Sequence, residues 1–151
     1  MSLESDIDIL SGVALFSDLT RDQLRLLAFG AEHRSLREGE FLYRAEARAD
    51  AGFVIVSGRV ELVVEGKRGR RVLAEAGPGT LLGELALITE TRRGANAVTA
   101  SPCDVIRIAR PLFRRMLQEF PEIAEGVRAR IAADLADMTQ SVVALEGRFE
   151  D

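Results

Sequence analysis

Between Phe41 and Leu73 the apolar residues come in runs too short for helices, each cut off by glycine or charge. Phe41-Leu42-Tyr43, Gly52 to Gly58, Val60 to Val64 and Val72-Leu73 read as strands, since β-branched and aromatic side chains suit a pleated, half-buried surface. Glu65-Gly66-Lys67-Arg68-Gly69 reads as the turn of a hairpin. Val98 and Val105-Ile106-Arg107-Ile108 supply the closing strands. The middle of the chain is therefore a β-layer.

The two flanks carry a different period. Val13, Leu15, Phe16 and Leu19 form an apolar lead-in, and Thr20 with Gln23 makes a capping box. Leu24, Leu27, Ala28 and Ala31 then recur at helical spacing, and His33 falls near the end of that helix. At the other end Pro111 suits a first helical position, with Phe113, Met116, Leu117 and Phe120 on one side. Pro121 restarts the chain into a long amphipathic helix, in which Gly126 is either a hinge or a point of close packing. From Ile131 the apolar residues Leu135, Met138, Val142, Leu145 and Phe149 follow in steps of four and three. That is a heptad seam. It predicts a homodimer through this helix, and a face packing back on its own β-layer explains the same spacing. The pattern is α+β in one domain over 1–151: helical to about 31, β-rich over about 32–109, helical again over about 110–148.

Charge and composition remove several functions. Net charge is −4 and the pI about 5.2, with Lys and Arg scattered, so a nucleic-acid surface is not expected. No stretch approaches the roughly 20 apolar residues of a membrane helix, and MSLESDIDIL has no signal-peptide core. A cytoplasmic chain is the expectation. Cys103 is the single cysteine and His33 the single histidine, which leaves no Cys–His dyad and no histidine metal cluster. No enzyme, cofactor or metal site is expected.

The chemistry concentrates from Gly77 to Val98. Gly77-Pro78-Gly79 reads as a tight turn. Gly83 lets a ligand lie against the backbone, and Glu84 opens a short helical piece from Leu85 to Ile88. Unpaired N–H groups at a helix start favour an anion. Arg93 follows a polar loop, and one guanidinium can hold two oxygens of one phosphate. Glu84 accepts from sugar hydroxyls and would repel phosphate, so the two residues suit opposite ends of a ribose phosphate.

Gly83-Glu84-Leu85-Ala86-Leu87 followed by Thr91-Arg92-Arg93-Gly94-Ala95-Asn96-Ala97-Val98 resembles the phosphate-binding cassette of cyclic nucleotide-binding domains. Phe53-x-Ile55-x-x-Gly58-x-Val60 is similar to the same family's strand–turn–strand signature. The resemblance implies a β-roll, or jelly roll, with N-terminal helices, a phosphate-binding cassette over 83–98 that holds one short helix, and a long C-terminal helix. It implies that Glu84 binds the ribose 2′-hydroxyl and Arg93 the exocyclic phosphate, with the Gly83–Leu85 and Gly94–Ala95 backbones lining the pocket. Counting along the long helix, it brings Thr139 to the base.

Four positions depart from the family pattern. Arg92 stands where the family has proline, leaving two adjacent candidates; spacing from Gly83 selects Arg93. Gly94 stands where relatives often carry a hydroxyl that favours guanine, so cAMP is expected over cGMP. Asn96 replaces a serine or threonine. Glu46, in Arg44-Ala45-Glu46-Ala47, replaces a loop glycine and leaves the shape of that turn open. Two functions fit: a stand-alone sensor module signalling through its C-terminal helix, or an interaction subunit with a vestigial or altered pocket. The sensor half of a Crp/Fnr-type transcription regulator is a further alternative.

Overall fold

The computed structural model describes residues 2–134. Three helical pieces come first: α1 (Leu3–Ser11), a single 3-10 turn (Ala14–Phe16) and α2 (Arg21–Gly30). Both α-helices start on reciprocal caps. The Ser2 hydroxyl accepts from the Ser5 amide at 3.1 Å, and the Thr20 hydroxyl from the Gln23 amide at 3.2 Å. The Gln23 side chain accepts in return from the Thr20 amide at 2.9 Å. Each cap satisfies donors the helix leaves unpaired.

Ten strands follow. β1 (Glu32–Leu36), β2 (Phe41–Tyr43), β3 (Arg48–Ala49), β4 (Ala51–Ser57), β5 (Val60–Gly66) and β6 (Gly69–Ala76) precede the cassette. β7 (Leu81–Leu82), β8 (Thr91–Arg92), β9 (Asn96–Thr99) and β10 (Cys103–Ala109) run through and beyond it. One antiparallel sheet has the order β1-β10-β4-β7, the other β2-β9-β5-β6, and β3 with β8 forms a small third ladder. The β-roll expected from the sequence is present. Four strands escaped the sequence reading. β1 carries exposed EHRS with little apolar signal, and β3, β7 and β8 have two residues each. His33 accordingly lies in β1, not at a helix end. Its Nε2 meets Asp6 Oδ2 of α1 at 2.7 Å, which pins the first helix to the first strand.

Alternation along the strands divides the core in two. Phe53, Ile55 and Val105 point into the roll with Leu42, Val60 and Ala97. Val54, Ile106 and Ile108 point the other way, onto Ile7, Leu10, Phe16, Leu27 and Phe113 of the helical layer. Period-two strands buried on both faces give this two-sided packing. The turn from β4 to β5 requires Gly58. Its φ is +90°, and a Cβ there would press into the Pro102 carbonyl and Cys103.

After β10 comes α3 (Arg110–Glu119), with Pro111 in its first turn. Residues 121–134 form a further helix, α4, as far as it is described. Ala124, Val127 and Ile131 of α4 are buried in the helical layer, and Arg130 reaches Asp18 at 3.2 Å. At Ile131 the apolar face therefore packs back on its own domain. Gly126 is not forced by contact, since a Cβ there would meet only the Asp18 carboxylate at 3.9 Å. Leu135, Met138, Thr139, Val142, Leu145 and Phe149, on which the dimer seam and the base contact rest, lie outside the described residues.

Candidate functional site

Arg93 follows β8 at the end of the cassette loop and is buried, at 6% exposure. Its guanidinium carbon sits 4.2 Å from the centre of the Tyr43 ring and 5.7 Å from that of Phe53. Nη2 donates to the Ala51 carbonyl of β4 at 2.7 Å. Nε is buried and has no hydrogen-bond partner. Burial pushes the Arg93 pKa down, Tyr43 and Asp50 oppose this, and Arg107 adds to it. An arginine stays cationic even so. Among the described residues no carboxylate forms an ion pair with it. A buried cation held by aromatic faces and one carbonyl, with no ion-pairing carboxylate among the described residues, is an unmet demand for an anion.

Gly83 lies directly against this group. Its φ is +81°, and a Cβ there would strike Arg93 Nη1. The missing side chain thus makes room for the arginine itself, and not only for a ligand as its place in the sequence suggested. The helical piece after it is one 3-10 turn, Glu84–Leu87, shorter than a helix with a useful dipole. It turns Ala86 and Leu87 into the core and leaves Glu84 half-buried. Leu85 packs at the edge of the helical layer. Gly94 is exposed with open space around its Cα, and Ala95 is half-buried beside it.

The Glu84 carboxyl is pushed up to about 7, first by burial and then by the Asp134 carboxyl of α4, which repels it and shares a hydrogen bond with it. Two acids in contact cannot both ionise cheaply. Arg110 and Arg114 of α3 approach the end of the same turn but are aimed at backbone, at Thr89 O (2.7 Å) and Ile88 O (3.5 Å). Asp134 thus brings the last described turn of α4 to the cassette.

The loop preceding β3 locks onto the cassette from the other side. The Glu46 amide donates to Arg93 O at 2.8 Å, and the Arg93 amide to Ala47 O at 2.9 Å. Arg92 Nη1 donates to Glu46 O at 2.9 Å, and Asn96 Oδ1 accepts from the Ala45 amide at 2.7 Å. Glu46 has φ +69°, the left-handed conformation a glycine would take without strain. The turn keeps a glycine-like shape although it carries a glutamate. Arg92 is exposed and its guanidinium serves this loop, whereas Arg93 points inward.

Gly83, Glu84 and Leu85 thus share one turn, and Arg93 packs against that turn at Gly83. Gly94 and Ala95 continue directly from Arg93. Tyr43, Phe53, Ala51 and Asp134 complete the surroundings of Arg93 and Glu84, and sequence reasoning missed all four. The alternation of β4 marks Phe53 as inward-facing, but nothing local assigns it or Tyr43 to an arginine so far along the chain.

Comparison with known proteins bears on the same residues. The sequence pattern of the cyclic nucleotide-binding domain matches residues 33–120. A lysophospholipase nte1 of Aspergillus niger is 30% identical over 120 residues, 79% of this chain and 8% of that protein. The chain therefore spans less than a tenth of such a relative. The structure of a cyclic nucleotide-binding-like protein from Brucella abortus is 49% identical, covering 75% of this chain and 97% of that one, with a TM-score of 0.70. The Thermus thermophilus catabolite activator protein is 26% identical, covering 87% of this chain and 62% of that one, with a TM-score of 0.74. With a β-roll whose cassette carries a buried arginine that no carboxylate pairs among the described residues, and with that family's pattern over more than half its length, the chain belongs to the cyclic nucleotide-binding domain family.

Proposed function

We propose that this domain is a regulatory module that binds cAMP and passes its state on through the C-terminal helix. The observation that carries the reading is Arg93: buried, cradled by Tyr43 and Phe53, with an orphaned Nε and no carboxylate partner among the described residues. A cyclic phosphate supplies the missing acceptors. Glu84 takes the ribose 2′-hydroxyl, the Gly83–Leu85 and Gly94–Ala95 backbones line the phosphate, and Thr139 offers its hydroxyl to the base. Gly94 brings no hydroxyl to a guanine, which favours cAMP over cGMP. Two copies pair through Leu135, Met138, Val142, Leu145 and Phe149, and the module works in the cytoplasm. A contact between ligand and helix is what such coupling needs, because a ligand shifts an equilibrium only through contacts that differ between states.

One observation favours a second reading. Arg93 already donates to the Ala51 carbonyl, so it also serves as an internal tie between the cassette and β4. An interaction subunit with a vestigial pocket would retain that bond. Titration calorimetry of the purified chain with cAMP and with cGMP separates the two. Saturable binding, tighter for cAMP, supports the sensor; no heat with either nucleotide supports the interaction subunit. Arg93→Ala should then cost about 2–5 kcal/mol of binding, the usual loss for one member of a buried charged pair. That is roughly thirty-fold to several thousand-fold in Kd. Arg92→Ala should change little, because its charge is exposed and screened. A larger effect at Arg92 would refute the assignment of the phosphate to Arg93.

A further inference from the structure

The end of α4 is brought to the cassette by contacts elsewhere on the helix. Ala124, Val127 and Ile131 seat α4 in the helical layer, and Arg130 ties it to Asp18 at 3.2 Å. One helical turn after Arg130 comes Asp134, whose carboxyl shares a hydrogen bond with Glu84. The two acids are far apart in the sequence. They meet only because the body of α4 is packed against its own domain.

The sign of this contact depends on one proton. With a single proton between them, one carboxyl donates to the other in a charge-assisted bond, about twice as strong as a neutral one. With no proton, two carboxylates repel at contact distance. The charged groups nearby are turned elsewhere. Arg110 and Arg114 of α3 donate to Thr89 O and Ile88 O. Arg93 packs on the Gly83 side of the turn and donates to Ala51 O. Arg130, on α4 itself, is paired with Asp18. β4 also packs on this turn and carries no charged side chain.

From this geometry we infer that one shared proton latches the end of α4 to the cassette turn, and that a nucleotide whose ribose takes Glu84 breaks the latch. The second half rests on the proposed reading of Glu84 as the ribose acceptor; the first needs no ligand. A 2′-hydroxyl donates to the ionised carboxylate, whereas the latch holds the protonated pair, so ligand and α4 compete for one group. The Glu84 carboxyl, pushed up to about 7, keeps the latch closed below neutrality and opens it above. Ile131 stays seated in the core, so release frees the end of the helix and not its body.

Hydrogen exchange on the whole chain tests both halves, read at the amides of residues 131–134 and corrected for the intrinsic rate at each pH. Without nucleotide, wild type should lose about tenfold of its protection there between pH 6 and pH 8, since one hydrogen bond to a charged group is lost. Glu84→Gln supplies an amide donor that needs no proton, so at pH 8 it should be as protected as wild type is at pH 6. Glu84→Ala should be unprotected to the same degree at both. Added cAMP at pH 6 should bring wild type down to the level of Glu84→Ala. Asp134→Ala leaves the cassette untouched and should bind cAMP at pH 6 about tenfold more tightly than wild type does. Equal protection in wild type, Glu84→Gln and Glu84→Ala overturns the latch, as does a wild type that keeps its protection at pH 8. Binding of cAMP that leaves α4 as protected as before, or more so, overturns release by the ligand. If neither nucleotide binds while exchange still follows the proton, the latch stands and the sensor reading fails.

Discussion

Replacing Asp134 with asparagine should change how nucleotide binding responds to pH. Glu84 is half-buried, and its carboxyl rises from 4.5 to about 7 through burial first and the facing Asp134 second. A group with that value is about half ionised at pH 7, roughly 90% ionised at pH 8 and roughly 10% at pH 6. The ionised carboxylate is the form that accepts a ribose hydroxyl with both oxygens free. If affinity follows the ionised fraction, the Kd for cAMP should be roughly ten-fold weaker at pH 6 than at pH 8. Binding near neutrality should also release about half a proton, visible in calorimetry as a dependence on the buffer's ionisation enthalpy. Asp134→Asn removes the repulsion and leaves the burial, so the midpoint should move to lower pH and affinity at pH 6 should recover. Stability follows with its own sign. The folded state holds the Glu84 proton more tightly than the unfolded chain, so the contribution of this group is complete below about 4.5 and is lost as pH rises through about 7. Asp134→Asn should therefore raise the melting temperature above pH 7 more than below pH 5. A Kd that is flat from pH 6 to pH 8, with no proton released by wild type, would refute the coupling. If neither nucleotide binds at any pH, it is the proposed ligand that fails.

Three further outcomes are expected. Gly83→Ala should abolish binding and destabilise the fold by about 1–3 kcal/mol, because φ is +81° and the new Cβ meets Arg93; thermal melts and calorimetry check both effects. Glu46→Gly should stabilise the chain by up to about 1 kcal/mol in urea unfolding, since relief of left-handed strain exceeds the added chain entropy; a loss would mean that the Glu46 side chain is needed. Wild type should sediment as a dimer at tens of micromolar and Leu135→Glu/Val142→Glu as a monomer, and a monomeric wild type would exclude pairing through the long helix.

Much of this protein is local physics. The Thr20–Gln23 capping box, the Pro111 helix start, the hairpin turn at Lys67-Arg68 and the alternation of Phe53, Val54 and Ile55 depend on neighbours a few residues away. Such features are legible in a linear chain. So is the cassette, because Gly83, Glu84 and Arg93 lie within one short stretch whose spacing resembles a known family. The two-residue strands were not legible, since β3 and β8 exist only because the loop at Glu46 folds onto Arg92 and Arg93 through their backbones. Nor does sequence order decide which charge of the Arg92–Arg93 pair is buried. That choice comes from Tyr43, Phe53 and the Ala51 carbonyl, distant along the chain and adjacent only after the roll closes. The shift at Glu84 has the same origin: an ordinary carboxyl becomes a proton-sharing one because α4 sets Asp134 beside it. Short-range patterns determined most of the elements and the cassette, whereas burial and long-range charge contacts, which exist only in three dimensions, decided the shortest strands and the state of the cassette's arginine and acid.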